Sequence, residues 1–391
     1  MKIDYIKTLN YLFVAFAFVL PITSAGVSVI AVLILLVWLA EMNFYRKFTE
    51  IKSNPVALAV LGFIALHIVG LAWVDVEPIN SFKSFLLLLI PIVMTSIKKE
   101  FIPKIFASFV AAMTISEIFS YYKILTHWDE IGKIDPTVFA PFISHITYNP
   151  FLALTISMIL ISLASSVYTK KAKLFLSIFA ITMTLNLFFT GGRAGQVVLF
   201  VLFMVLAVYY FRTHITKLLM VLSLIPLLYI GLYYTNKAFE QRVDLAISDI
   251  SNFQTNPNTS IGLRLSWTLT SLEAIKDKPI FGHGTGSFQN AYAKKNAEVS
   301  PGILLTGNPH NNYILVLVQF GIVGLLVFLS IFYTQIKSFM NTPKTFEYKP
   351  LKLILPIMFM VICLSDTYLW GHHTQALFAL FSGILYSDRV A

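Results

Sequence analysis

Three side chains in this sequence have the type and setting for chemistry on an anion. Arg193 lies in FFTGGRAG (188–195), where an apolar run long enough to cross a bilayer stops at two glycines. Gly191, Gly192 and Gly195 let backbone N–H groups approach a ligand, and a helix starting here points the positive end of its dipole outward. Amides, a helix N-terminus and a guanidinium together make an anion site. His310 lies in TGNPHNNY (306–313). With Asn308 as cap and Pro309 in the first turn, His310 falls inside the first turn of a helix, whose dipole disfavours imidazolium and leaves a neutral base. Arg264 is the third, on SIGLRLSWTLTSLEAIKDKP. That stretch reads as an amphipathic helix capped by Ser260, with Leu265, Leu269, Leu272 and Ile275 on one stripe and Lys276, Lys278 and Pro279 at its end. The bland alternatives are a snorkelling arginine and a histidine bonded to a loop carbonyl.

The elements that must position these groups follow from composition. The chain has 391 residues, 57% hydrophobic and 12% charged, with mean hydropathy +0.76, which implies an all-α polytopic membrane protein. A net charge of +10 raises the question of nucleic acid, but the basic residues punctuate apolar runs and do not gather on one polar face, so no nucleic-acid partner is expected. The single cysteine, Cys363, rules out a disulfide framework or a cysteine-based metal site within one chain. A span needs about 20 mostly apolar residues. Twelve runs qualify, near 9–24, 26–41, 55–72, 82–97, 102–125, 150–168, 174–190, 194–211, 217–235, 309–336, 352–368 and 372–387. The first imitates a cleavable signal peptide, yet a second run follows immediately at Gly26, so it reads as a span. With the N-terminus inside, the inner loops hold nearly all the loop cations, Arg46, Lys47, Lys98, Lys99, Lys170, Arg212, Lys337, Lys349 and Arg389 among them. The short outer loops hold only Lys133 and Arg193, which fixes both termini in the cytoplasm. Arg193 is thus on the side where topology does not put a merely snorkelling cation. The outer segment 236–308 reads as a small helical extracytoplasmic subdomain resting on the membrane.

Other signals are weaker. GHGTGSF (282–288) lacks the strand and βαβ context of a phosphate loop and reads as a turn after the amphipathic helix. His372 and His373 lack the spacing and further ligands of a zinc site. Asp75 and Glu77, in WVDVEP, resemble an acidic pair that holds a divalent metal in some lipid-dependent glycosyltransferases. Asn258 begins an N-T-S sequon, a frequent chance match. Glu117 and His67 lie inside predicted spans and are isolated there.

Three stretches in this order, TGGRAG after a span, RLSWTLTSLEAIKDKPIFGHGTGSF in a long outer loop and PHNNYILVLVQFGIVG opening the next span, resemble the O-antigen ligase family. The resemblance implies a metal-independent, inverting glycosyltransferase of the bacterial inner membrane, without cofactor. Such an enzyme takes a glycan from undecaprenyl pyrophosphate and attaches it to a sugar of lipid A–core on the periplasmic side. By motif, the two arginines that the family needs match Arg193 and Arg264, and its histidine matches His310. A basic residue near span four matches Lys83, and an acidic residue in the last outer loop matches Asp366. O-antigen polymerases and protein oligosaccharyltransferases use the same scaffold with another acceptor. A solute or anion transporter is the alternative of another class, disfavoured because the two halves do not repeat and the notable charges collect at one face.

Overall fold

The computed structural model describes residues 4–74, 85–131, 133–235 and 237–390. The described residues form helices without strands. In chain order these are α1 (Tyr5–Val19), α2 (Ser24–Ala40), α3 (Phe44–Ser53), α4 (Pro55–Val69), α5 (Leu89–Met94) and α6 (Ile102–Thr126). Then come α7 (His145–Ala164), α8 (Lys170–Phe189), α9 (Arg193–Phe211), α10 (Ile215–Thr235) and α11 (Lys237–Ser251). The chain closes with α12 (Ser260–Asp277), α13 (Phe288–Val299), α14 (Asn312–Asn341), α15 (Lys349–Ile362) and α16 (His372–Leu385).

Side-chain acceptors before apolar runs set many of the starts. Asp4, Thr23, Asn54, Ser144, Thr169, Thr259 and Asn311 each accept a backbone N–H of the first turn, and Pro55 occupies the first turn of α4. Two of these differ from expectation. The cap of α12 is Thr259 and not Ser260, and α14 is capped by Asn311, so His310 precedes the helix.

Each of the twelve apolar runs contains helix, but they are not twelve equal spans. Among the described residues, seven helices are long and apolar enough to cross a membrane, or eight if α2 and α3, bent by 114°, count as one. Helix α1 has 15 residues and α15 and α16 have 14 each. At 1.5 Å per residue they reach only about 21–23 Å, short of a hydrocarbon core of roughly 30 Å. Helix α16 is a core element, buried along its whole length from His373 to Leu385 and packed on α5. By contrast α8 turns Leu174, Phe175, Ile178 and Ile181 outward, where water would be a poor solvent and lipid a good one. The several apolar spans make this a multi-pass membrane protein.

The principal pairings are α1 on α2 and α6, α7 on α8 and α9, α9 on α15, and α4 and α15 on α14. Gly195 allows a close approach of α9 to α7. A Cβ there would lie 2.4 Å from Asn149 Cβ and 2.6 Å from its carbonyl carbon, so α9 and α7 touch backbone to side chain.

Helix α14 is broken at Gly321, whose φ of 61° and ψ of −157° interrupt its hydrogen-bond ladder. The segment after α12 closes the gap. His283 and Gly284 donate to the Val318 and Gln319 carbonyls at 2.9 and 2.8 Å, and Ile322 and Val323 donate to those of Pro279 and Ile280 at 2.9 and 3.2 Å. Thr285 N–H goes to Gly70 O at 3.1 Å. The amides of GHGTGSF are therefore committed to packing, which is why this glycine-rich turn is no phosphate cradle.

Segment 236–308 holds α11 and α13 besides the expected α12. Phe288 and Tyr292 of α13 form a small core with Ile314, Leu315 and Val318 of α14, flanked by Trp267 and Ile275. The leucine stripe of α12 faces the other way: Leu265, Leu269 and Leu272 are exposed, while Gly262, Ser266, Thr270, Ser271 and Ala274 form the buried face. Small residues are inside because α12 lies close against α13 and α14.

Candidate active site

Arg193, Arg264 and Asp366 line one open cavity of about 640 Å³ at one end of the bundle. Arg193 is the first residue of α9, with Gly192 as its N-cap. Gly191, with φ of 68°, turns the chain from α8 into it. Both glycines and Gly195 border the cavity, but Gly192 and Gly195 are also packed against Asn149. A Cβ on Gly192 would sit 1.9 Å from Asn149 Nδ2. The glycines therefore serve helix packing as much as ligand approach. Arg264, in the second turn of α12, reaches the cavity from the opposite wall, and Tyr368, Pro136, Thr137 and His145 complete much of the lining. Among the described residues, no carboxylate forms an ion pair with Arg193 or Arg264. The two guanidiniums keep their donors free for an anion, although Asp135 and Asp366 line the same cavity.

His310 is not among the residues that line this cavity and is tied to it through Asp366. Its Nδ1 is 3.1 Å from Asp366 Oδ2, while Asp366 Oδ1 accepts from Asn308 Nδ2 at 2.9 Å and from Thr367 N at 2.7 Å. The contact spans 56 residues of sequence and is set by the HNNY stretch. Asn312 N–H donates to Cys363 O at 2.8 Å and its side chain accepts from Leu369 N at 3.1 Å. Asn311 Nδ2 donates to Leu364 O and Tyr313 OH to Met360 O. Three of these bonds fasten the start of α14 to the α15–α16 connection that carries Asp366, and the fourth to the end of α15. His310 itself has φ of 52°, held by its N–H donating to Asn308 Oδ1 at 2.8 Å. This left-handed backbone is uncommon outside glycine and costs of order 1–3 kcal/mol. Trp267 stacks on the imidazole with centroids 5.2 Å apart and planes at 21°.

The expected control of His310 by a helix dipole does not hold, because the residue lies before the helix and faces a carboxylate. Burial alone would raise the Asp366 carboxyl. Hydrogen bonds from His310 and Asn308, with the attraction of the imidazole and the Thr367 amide, outweigh it and hold Asp366 below the usual carboxylate range. An ionised Asp366 accepts from Nδ1–H, so the basic lone pair of a neutral His310 is on Nε2.

A second cavity, of about 280 Å³, shares Asp366 and Tyr368 with the first. Its other lining groups include Ser144, Thr147, Asn308, Thr367 and Trp370, and it carries no cation. Asp366 therefore borders both the chamber that holds the two arginines and one of hydroxyls, an amide and an indole.

Not every expected residue arrives here. Lys83, Asp75 and Glu77 lie outside the described residues. Among the described residues no three His, Cys, Asp or Glu side chains form a metal-ligating group. Glu117 and His67 are buried in α6 and α4 and border neither cavity. His373 Nδ1 donates to the Leu20 carbonyl and its Nε2 bonds Ser24 Oγ, at 2.7 Å each, and His372 reaches Ser28 Oγ at 3.2 Å, so this pair clips α16 to the start of α2. Asn149, Trp267, Tyr368 and the bonding role of Asn308 escaped the sequence reading. Asn149, whose Nδ2 has no hydrogen-bond partner among the described residues, was marked by an Asn-Pro step in an apolar run. Trp267 was marked by lying three residues from Arg264 on the same helix.

A protein of Haemophilus influenzae described as an uncharacterized protein is 32% identical to the chain over 164 residues, which are 40% of this chain and 41% of that protein. The chain thus matches less than half the length of this relative. Residues 178–329 match the family described as O-Antigen ligase, a segment that contains Arg193, Arg264 and His310. This match, over less than half of the chain, supports membership in the O-antigen ligase family.

Proposed function

We propose that the protein is an O-antigen ligase of the bacterial inner membrane, transferring a glycan from undecaprenyl pyrophosphate to a sugar hydroxyl of lipid A–core at the periplasmic face. The observation that carries this reading is that two unpaired arginines share a cavity with the carboxylate that holds His310. Both termini would be cytoplasmic, with α11–α13 as a periplasmic subdomain over the site.

In this reading the leaving group is a pyrophosphate with about two to three negative charges, and Arg193 and Arg264 stabilise it as its bond to the anomeric carbon breaks. The acceptor hydroxyl approaches from the smaller, cation-free cavity, where hydroxyls, the Asn308 amide and Trp370 suit a sugar. Its oxygen attacks the anomeric carbon from the face opposite the pyrophosphate, giving inversion. The hydroxyl proton passes to His310 Nε2, and Asp366 stabilises the imidazolium. Positioned base catalysis of this kind contributes typically 10²–10⁴-fold. No step is assigned to a metal or cofactor.

The test is glycan transfer by purified protein with lipid-linked donor and lipid A–core, in EDTA. Full activity of His310→Ala would remove the base, and loss of activity in EDTA would return Asp75 and Glu77 to consideration. A deletion strain distinguishes acceptors: unligated polymer supports a ligase, single repeats on the core a polymerase, and bare glycoprotein a protein oligosaccharyltransferase. The break in α14 resembles the interrupted helices of transporters. Its exposed backbone groups, however, bond the 279–284 segment.

A further inference from the structure

At the end of the bundle opposite Arg193 lies another cavity, of about 680 Å³. It is formed by the start of α4, the last turns of α14, the start of α15 and the residues after α16. Lys99 and Lys337 stand exposed at its rim, and Lys352 lines its floor at 5% exposure. Lys352 Nζ donates to Thr342 Oγ1 at 2.9 Å, and beside it the buried Lys349 donates to the Thr342 carbonyl. Among the described residues, neither buried ammonium forms an ion pair with a carboxylate. Two ammoniums around one threonine, out of water, cost several kcal/mol unless an anion or a dense set of acceptors compensates them. Two carboxylates do border the cavity, Glu347 and Asp388, both exposed; Asp388 is engaged by Asn54 Nδ2 at 3.2 Å.

The remaining wall is aromatic. Lys352 lies 5.5 Å from the ring centroids of both Phe346 and Tyr386, and Tyr333 and Tyr348 also border the space. Cations at the floor and rim with rings between them suit an amphiphile whose phosphate enters and whose apolar part stays against aromatic side chains. Basic pockets between helix ends with aromatic neighbours are the setting in which anionic lipid headgroups bind. The volume is that of an ordinary small-ligand site.

We propose that this cavity binds a phosphate group of an anionic amphiphile, a phospholipid headgroup, through Lys352, Lys337 and Lys99. The site is distinct from the Arg193 cavity and does not depend on the function proposed for it.

The test uses the full chain, delipidated in detergent, with thermal stability and native mass spectrometry as readouts. Probes are phosphatidylglycerol, cardiolipin, zwitterionic phosphatidylcholine and inorganic pyrophosphate. Anionic lipid should raise Tm by several degrees and remain bound, and phosphatidylcholine should do neither. The double variant Lys99→Gln/Lys337→Gln, changed only at exposed positions, should bind anionic lipid at least tenfold more weakly, and Lys352→Gln should lose it. Lysine-dependent binding of pyrophosphate without a lipid requirement would keep the phosphate site and identify a soluble source. Equal binding of anionic and zwitterionic lipid with no pyrophosphate binding, or unchanged binding in the double variant, would overturn the proposal.

Discussion

Asp366→Asn tests the arrangement around His310 with little change of shape. Besides a long 3.5 Å bond from the Thr367 hydroxyl to Oδ1, Asp366 accepts three hydrogen bonds: two at Oδ1, from Asn308 and the Thr367 amide, and one at Oδ2, from His310 Nδ1. An asparagine side chain has one acceptor oxygen and one donor NH₂. If the NH₂ faces Asn308 and Thr367, two donors lose their acceptor; if it faces His310, none does, provided that the ring moves its proton to Nε2. Each stranded donor costs about 1–3 kcal/mol. One such penalty of difference already favours the second arrangement by roughly 5- to 150-fold at 1.36 kcal/mol per tenfold. In that arrangement Nε2 is no longer a base. The expected kcat therefore falls roughly 5- to 150-fold from the tautomer alone, below or at the lower end of the 10²–10⁴-fold typical of the whole base contribution. The KM for lipid-linked donor should hold, because Arg193 and Arg264 are untouched. The assay is steady-state transfer by the purified variant, with its fold checked by thermal melting. A folded variant with wild-type kcat, or one whose defect lies in donor KM, refutes the reasoning.

Other expectations concern charge, pH and packing. Arg193→Lys and Arg264→Lys keep the charge but lose the planar fork, so each should weaken transfer about tenfold or more while Ala costs further; donor titrations of kcat/KM check this. The Asp366 carboxyl is depressed in the folded protein, so its stabilisation is complete above the unfolded value of about 3.9 and lost as pH falls through the lower folded value. The melting deficit of Asp366→Asn should accordingly be constant from about pH 5 to 8 and shrink only below about 4, as read by melting in detergent. Gly195→Ala must displace Asn149 and should destabilise by about 1–3 kcal/mol, whereas Gly62→Ala, with nothing within 4 Å of its Cβ in α4, should be neutral or slightly stabilising. Gly321→Ala puts a Cβ 2.4 Å from the Ile280 carbonyl at a φ of 61° and should loosen the 279–284 segment, which hydrogen exchange of His283 and Gly284 would report.

Much of the scaffold was readable along the chain. Apolar runs bounded by Thr, Ser, Asn and Asp become capped helices because an unpaired backbone cannot stand in hydrocarbon, and this requirement is local. The residue types at the candidate site were also local signals: an arginine after two glycines, a histidine among asparagines, an arginine on a short polar helix. The tertiary structure decided which runs face lipid and which, like α16, lie inside, because lipid and protein core are equally apolar and one-dimensional pattern does not separate them. It likewise put the small-residue face of α12 inward and left its leucines exposed. A carboxylate 56 residues away, not a helix end, meets His310 because Asn311 and Asn312 bond the α15–α16 connection and Tyr313 the end of α15. The break at Gly321 is stable because residues 279–284 satisfy the backbone groups that it exposes. Sequence alone specifies which groups require partners; only the packed chain determines which partners are within hydrogen-bonding reach.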